Sequence, residues 1–599
     1  MSNLRIIDDD IPHMSRYAHQ ASEAEFVAGL QAIDLENDRT AGILVHNPEH
    51  GTGFLYRGCA HTLVCGVSGS GKSRGVLGSN LTHWSRTGCP AIVFDPRSEL
   101  FGISAEEFRA QGYDIKVLDF REPYRGNRYN PLHEPVACLR SNDPVLRDYG
   151  ESMLLELFNN LIVAQSPDQD DVWTRPGINF LLGLTKTLVS RMRDDEFLTL
   201  SQLKEAFNRV VLSMADIKRF EETIQSDDPV LLDLMGISRT TADTTRSGMI
   251  AVANKGLALA DTSGMCDLIS GNDIDIHEIS SGKPVVLFII PSDTSPALDF
   301  LVATVLTNMM AVLYHDADHV YGGSLPCPVL MMIDEFANIP QMPSFTKVIT
   351  NARSRNIRIV LAIQSVSQLE SIYGVSASTV IDNCRNIIAT NGDSSLVSLI
   401  NRRVGLTESG DDIITVNMLR NLPAGSPLVV LDGKNPFIAK FDPVSGSPYE
   451  IPLRKPGKAA CINLEALLFD RPSASVTEGS VRHLLEQHSC IEDLEEMVVT
   501  DIRDLRSAVT YWALCKGIYE GQQIKVNALY HLLDICPYRI VFGDAIRMAI
   551  MAASSDPREY ADRLIKDEIF HRKDFTELMF TIVELRGQLP FLKRATHVI

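Results

Sequence analysis

Eight residues carry the most specific chemistry in the chain: Gly66-Val67-Ser68-Gly69-Ser70-Gly71-Lys72-Ser73. They match the phosphate-loop pattern G-x-x-x-x-G-K-[ST] at every fixed position. Gly66, Gly69 and Gly71 let the backbone curl, so that successive N–H groups along Ser68 and Ser70 converge on one phosphate. Lys72 brings a cation to the β- and γ-phosphates, and Ser73 offers a hydroxyl to Mg²⁺. ATP and Mg²⁺ are therefore the expected ligands. The partner of this loop is the apolar run Val329 to Ile333, which ends in Asp334-Glu335. Asp334 is expected to hold the Mg²⁺ through a bound water, and Glu335 to orient the attacking water as a general base.

Five further residues, at three places in the chain, are candidates. Gln364 ends the next expected strand, Ile357 to Ile363, and is expected to sense the γ-phosphate or the water. Asp95 and Arg97 end another run, Pro90 to Phe94. Arg353 and Arg355 lie at the end of the helix expected from Phe345 to Ser354. An arginine inserted from a neighbouring subunit can stabilise charge on a transferring phosphoryl group. On spacing alone, a surface arginine at a helix C-terminus is an equally good reading of either.

The elements that position these residues alternate between strand and helix. His61 to Cys65 reads as the buried strand before the loop, and Ser73 to Trp84 as the helix after it. Strands come next at 90–94 and 115–118, with a helix from Ala105 to Gln111 stopped by Gly112. From Asn142 to about Asp273 the alternation gives way to helical spacing. Asp143-Pro144 has the form of a cap and first turn, Pro176 opens a second helix, and Thr199 caps a third. Strands return at 284–290, 329–333, 357–363, 386–389 and 427–431. The fold class expected is α/β, with an inserted all-α subdomain and a helical C-terminal domain. The expected boundaries are 1–60 (an acidic segment, helical from Ser22 to Ile33, then short strands), 61–141 and 274–456 (the two parts of the nucleotide-binding domain), 142–273 (the insert) and 457–599. Apolar positions from Val481 to Trp512, Val498 among them, fall on one helical face in the last of these.

The 599 residues carry 56 basic and 76 acidic side chains, a formal charge of −20. That argues against a protein that coats nucleic acid with its whole surface, and leaves room for a local basic channel. The eleven cysteines are scattered without a C-x-x-C, which points to reduced thiols in a cytosol. The most apolar helical stretch, Pro296 to Tyr314, contains Asp299 and Asn308 and reads as a buried helix.

Three stretches taken together resemble a known family. They are Val64 to Ser73 with Asp95-Pro96-Arg97-Ser98-Glu99-Leu100; Tyr129-Asn130-Pro131-Leu132; and Ile333-Asp334-Glu335-Phe336 leading to Gln364-Ser365-Val366-Ser367-Gln368-Leu369. Their order and spacing are similar to those of the type IV secretion coupling proteins of the VirD4/TraG/TraD kind, over roughly residues 40–450. The resemblance implies a RecA-like P-loop ATPase that works as a homo-hexamer. It implies single-stranded DNA with a relaxase, or a secreted protein cargo, as substrate, and the components of a type IV secretion channel as partners. It puts Lys72, Ser73, Asp334, Glu335 and Gln364 at nucleotide positions and Arg353 at the place of a trans-acting arginine, and it makes the insert the region that meets DNA and cargo. Two departures stand out. The family's usual opening pair of transmembrane helices has no counterpart here, so the expected location is cytoplasmic, at the inner face of the inner membrane, with membrane contact through another protein. Arg97-Ser98 replaces the more usual Lys-Gly. Two other readings stay open: a receptor ATPase for protein cargo that does not pump DNA, and a chromosome-type DNA translocase.

Overall fold

The structure is a computed structural model. It describes residues 19–454 apart from 22–24, 26–29, 48–51, 164–172, 194–195, 226–242, 259–261, 293–295, 343, 408 and 448, together with 462–469, 498–499 and 540–541. The chain divides into two compact units, Met1–Leu464 and Glu465–Ile599.

The first unit opens with a small antiparallel sheet of β1 (Gln31–Ile33), β2 (Ile43–His46) and β3 (Gly53–Tyr56), ordered β1-β3-β2. The strand at Gln31–Ile33 corrects the helix expected to run to Ile33. Gln31, Ala32 and Ile33 pair with Leu55, Phe54 and Gly53, and that pairing overrides a weak local preference. Most of the rest of that expected helix lies outside the described residues.

The main sheet has nine strands: β4 (Thr62–Cys65), β5 (Ala91–Phe94), β6 (Asp114–Asp119), β7 (Val285–Ile290), β8 (Val329–Ile333), β9 (Ile357–Ile363), β10 (Asn386–Ala389), β11 (Leu428–Val430) and β12 (Phe437–Ile438). Their order is β12-β11-β10-β4-β9-β8-β5-β7-β6. From β10 to β6 every pair is parallel, while β11 and β12 close one edge antiparallel. Every residue of β7, β8 and β9 is buried, as strands covered by helices on both faces require; β7 and β8 are continuous apolar runs, and β9 is apolar apart from the buried Arg358. On one face Phe288 of β7 meets Phe101 and Phe108 edge-on, at centroid distances of 5.2 and 6.2 Å.

Two expected helices differ in extent. The one expected at Ala105 starts at Glu99, because the Asp95 carboxylate accepts the N–H groups of Glu99 (3.1 Å) and Phe101 (2.7 Å) and caps it across the turn. The one expected over Phe345 to Ser354 ends at Ala352. A tight turn, Arg353–Arg355, and the left-handed Asn356 (φ 63°) then start β9.

Between β6 and β7 the described residues contain helices and no strand. The longest are Pro144–Val163, Thr174–Arg191, Leu200–Val210, Met214–Gln225 and Asp243–Leu257. Thr199 and Gln202 form a capping box on the third of these. The way in and the way out of this insert are tied together. Arg128 donates from Nε (2.9 Å) and Nη2 (3.1 Å) to the Asp273 carboxylate. His277 lies between Asp316 (2.7 Å) and Glu134 (3.1 Å), and hydrogen bonds to these two carboxylates raise its pKa to about 10.

In the second unit, β13 (Val498–Val499) pairs antiparallel with β14 (Ile540–Val541), so Val498 is in a strand and not on the helical face expected for it. The remaining positions of that expected face lie outside the described residues.

Phe288→Ala should destabilise the first unit by about 3–5 kcal/mol, since it empties a site where the sheet and a covering helix interdigitate. Denaturant unfolding followed by tryptophan fluorescence measures this, and a loss below about 1 kcal/mol would mean that the aromatic cluster contributes little.

Candidate functional site

Four neighbouring strands bring the candidate residues to one edge. In the order β4-β9-β8-β5 the strands end close together: Cys65 lies opposite Ile363 and Phe94 opposite Ile333, while Ile333 lies opposite Leu361, so that β9 runs two residues past β8. The residues just past the strand ends, Gly66, Gln364, Asp334 and Asp95, therefore emerge side by side. In open parallel sheets ligands bind beyond the carboxyl ends of the strands.

The loop after β4 is held from several sides. Gly66 donates its N–H to the Ile363 carbonyl at 3.2 Å. The Ser70 hydroxyl lies 2.7 Å from both the Val67 carbonyl and the Thr390 hydroxyl. Gly69 and Gly71 take φ of 77° and 90°, a region that disfavours any residue with a Cβ. Gly66 is needed for space: a Cβ there would lie 2.0 Å from Thr390 Oγ1 and 2.6 Å from Ser70 Oγ. Lys72 is only 7 % exposed, and its ammonium donates to the carbonyls of Gly66 and Val67. Burial lowers its pKa, and the Asp334 and Glu335 carboxylates act in the opposite direction. The chain then runs through a wide turn, Lys72–Leu77, into the helix Gly78–Trp84.

Ser73 donates its hydroxyl to Asp334 Oδ2 at 3.1 Å, which joins the start of that helix to the end of β8. Asp334 is buried, and burial raises its pKa against the Ser73 hydrogen bond. A hydroxyl and a carboxylate side by side are the oxygen donors that suit Mg²⁺. The curled glycine loop and this donor pair fit a nucleotide phosphate and its cation.

Glu335 has φ of 49°, a left-handed conformation in a residue with a side chain. Such positions cost about 1–3 kcal/mol and cluster at working sites. The conformation turns its carboxylate back over the edge. Glu335 Oε1 is 2.8 Å from Arg97 Nη2 and 3.5 Å from Gln364 Nε2, while Oε2 accepts from Asn338 Nδ2 at 2.6 Å. Asn338 Oδ1 in turn accepts from Gln368 at 3.1 Å. Arg97 also points Nη1 at Ser68 Oγ, 3.4 Å away. Asp95, by contrast, is consumed as the helix cap, and burial raises its pKa to about 7.

The two downstream arginines separate clearly. Arg355 pairs with Asp318 at 2.6 Å and lies 4.7 Å over the Tyr314 ring, so it is committed within its own subunit. Arg353 is exposed and stands just before β9, at the opposite end of that strand from Gln364. Within one chain it does not meet Lys72 or Glu335.

Sequence reasoning missed Asn338, Thr390 and the Arg97–Glu335 pair. Asn338 lay three residues past Glu335 and was readable as a neighbour in the same turn. Thr390 had no local signal, because it reaches the loop from the far end of the chain through the pairing of β10 with β4.

Residues 30–412 match the family model described as "Type IV secretory system Conjugative DNA transfer". The chain belongs to that family. It is 23 % identical over 353 residues to the type IV secretion system-coupling protein VirD4 of Bartonella henselae (strain Houston 1), covering 56 % of this chain and 50 % of that one. It is 22 % identical over 364 residues to the probable conjugal transfer protein TraG of Sinorhizobium fredii (strain NGR234), covering 58 % and 53 %. The chain thus spans about half the length of the curated relatives it matches. The plasmid coupling protein TrwB, solved with the ATP analogue ADPNP, superposes with a TM-score of 0.54 at 15 % identity, over 75 % of this chain and 98 % of that one. TrwB with ADP and Mg²⁺ gives a TM-score of 0.52 at 15 % identity, over 74 % and 96 %. That likeness establishes the fold as a RecA-like P-loop NTPase. Among the described residues no helix is long and apolar enough to cross a membrane; Pro296–His315 is a largely buried helix of the first unit.

Gly66→Ala should weaken nucleotide binding at least about tenfold, because its Cβ collides with Thr390 and Ser70. Adding Thr390→Ala removes the closer obstacle and should recover part of the loss. Independent, additive effects of the two substitutions in a binding titration would show that the collision does not set the loop's shape.

Proposed function

We propose that this chain is the ATP-driven coupling protein of a type IV secretion or conjugation system. It recruits a relaxase with single-stranded DNA, or a protein cargo, and feeds it into the secretion channel. The observation that carries this reading is the Ser73–Asp334 contact of 3.1 Å, which sets a phosphate loop and an acidic strand end against each other with Glu335 next in line. The nucleotide complexes of TrwB and the family membership support it.

In this reading Gly66, Ser68, Gly69, Ser70 and Gly71 cradle the phosphates, and Lys72 leaves the loop carbonyls to meet the β- and γ-phosphates. Ser73 and Asp334 hold Mg²⁺, which when bound neutralises charge on the phosphate oxygens. Gln364 and Glu335 orient a water. Its oxygen bonds to the terminal phosphorus as the bond to the β–γ bridging oxygen breaks, with the electron pair leaving on ADP. The water's proton passes to Glu335. Arg353 approaches the site of the next subunit in a homo-hexamer and stabilises charge there. The protein works in the cytoplasm, at the inner face of the inner membrane, with membrane contact through another protein.

The net charge of −20 favours a second reading, a receptor ATPase that releases protein cargo without pumping DNA. A chromosome-type translocase shares the same core. ATPase rate with and without single-stranded DNA tests the reading. Stimulation by DNA supports a DNA pump, and its absence with intact turnover supports the protein-cargo reading. Loss of conjugation, with chromosome segregation intact, in a strain lacking the protein separates the coupling protein from the translocase.

Glu335→Gln should still bind ATP while turnover falls by about 10²–10⁴-fold, since an amide cannot accept the proton. Parallel loss of binding would make Glu335 a structural residue.

Arg353→Ala should also spare binding and lower turnover by about 10³-fold or more. Mixing it with Lys72→Ala subunits should restore some activity, because some intact sites would then face an intact arginine. Unchanged turnover in Arg353→Ala, or full activity in an isolated subunit, would rule out a role in trans.

A further inference from the structure

Arg97 is the cation that the sequence left without a role. Three observations define its position. It lies just past β5, the strand next to β8, so it emerges beside Asp334-Glu335. Its Nη2 lies 2.8 Å from Glu335 Oε1. Its Nη1 faces Ser68 Oγ at 3.4 Å, so the guanidinium bridges the phosphate loop and the candidate base. The arginine is half exposed, at 51 %, while Glu335 is 13 % exposed, so the arginine is the partner with room to move.

The pairing has a chemical consequence for Glu335. Oε1 faces the guanidinium and the Gln364 amide, and Oε2 accepts from Asn338. Oε1 thus carries two donors, which fill its two lone-pair directions, while Oε2 carries one. For Oε1 to take a proton from water, the guanidinium must leave. The loop whose Ser68 it already faces is where polyanionic oxygen arrives, and a planar guanidinium binds phosphate oxygens in the same forked geometry that it uses for carboxylates. Both turns that carry the pair contain left-handed backbone. Ser98, the next residue after Arg97, has φ of 55°, and Glu335 has φ of 49°.

We propose that Arg97 is a γ-phosphate sensor acting within its own subunit. Without a third phosphate it stays on Glu335 and keeps the base engaged. With a nucleoside triphosphate in the loop it transfers to the terminal phosphate oxygens and frees Glu335 Oε1 for the water. A nucleoside diphosphate offers no terminal phosphate at that distance, so the ion pair persists and the site stays idle. This deepens the nucleotide reading and rests on it. Asn338, braced by Gln368, holds Oε2 in both states and acts as a positioning residue.

The test reads binding and not turnover. ADPNP and ADP are titrated into the full chain and into Arg97→Gln, Arg97→Lys, Glu335→Gln and the double variant Arg97→Gln/Glu335→Gln. Arg97→Gln should lose about tenfold or more in ADPNP affinity, the worth of a charge-assisted hydrogen bond, and change ADP affinity less than about twofold. Arg97→Lys should recover part of the loss. Glu335→Gln releases the arginine and should tighten ADPNP binding several-fold, with no such gain in the double variant. Equal effects on ADP and ADPNP, or a Glu335→Gln gain that survives without Arg97, overturn the sensor. The control is Lys72→Ala, which should lose both nucleotides. A wild-type chain that binds neither would overturn the nucleotide reading itself, and the sensor with it.

Discussion

The site depends on one constraint: β4, β9, β8 and β5 are parallel, adjacent and end within two residues of one another. Each strand delivers one functional turn, and the register of the sheet puts the four turns within hydrogen-bonding reach. The Ser73–Asp334 contact is the visible result, joining residues 261 positions apart in the chain. No loop could hold that distance unaided, because the conformational freedom of either end would be far larger. Shifting β8 by one residue would also invert which of its side chains face each helical layer, and the buried apolar side chains on both faces resist that.

Burial is the second organising term, and it acts differently on each charge. Lys72 and Asp334 are both almost wholly buried, and in each case loss of solvent is the largest influence on the pKa. Their charges partly offset this for one another, so the edge holds a cation and an anion that neither water nor a single close ion pair satisfies. Such a pair is poised to gain when a polyanion and a divalent cation arrive together. Asp95 shows the alternative. It is as buried as Asp334, yet its two hydrogen bonds run to backbone N–H groups of the next helix, and it serves the fold.

Much of this was legible in the chain, for a physical reason. Continuous apolar runs such as Val329 to Ile333 are what a doubly covered parallel strand requires, and Gly66 to Ser73 is a pattern that few other structures need. The places where reading failed involve partners distant in sequence. Gln31 to Ile33 became a strand because β3 was there to pair with it. The helix at Glu99 began early because Asp95 was buried where it could cap it. Arg97 had no evident task, since its partner is more than two hundred residues downstream. Left-handed backbone is likewise invisible in composition. Of the three non-glycine residues with positive φ among those described, Glu335 is one partner of the Arg97 ion pair and Ser98 follows the other.

The same turn also connects the nucleotide edge to the inserted helices without crossing the sheet. β6, the strand that leads into the insert, ends at Asp119, and Arg121 just beyond it donates to the Ser98 hydroxyl. Arg121 is itself fixed by Asp119, which accepts its backbone N–H at 2.9 Å. The insert is anchored where it leaves and rejoins the core, by Arg128 with Asp273 and by His277 between Asp316 and Glu134. Its base is therefore held by charge-assisted contacts, while Arg121, at the end of the strand that leads into it, touches the neighbour of Arg97. Ser98, next to Arg97 and left-handed at φ 55°, is the residue of that turn which Arg121 holds. The element that distinguishes a third phosphate from its absence thus shares a hydrogen bond with the chain that enters the insert, the region where this family is expected to meet its cargo.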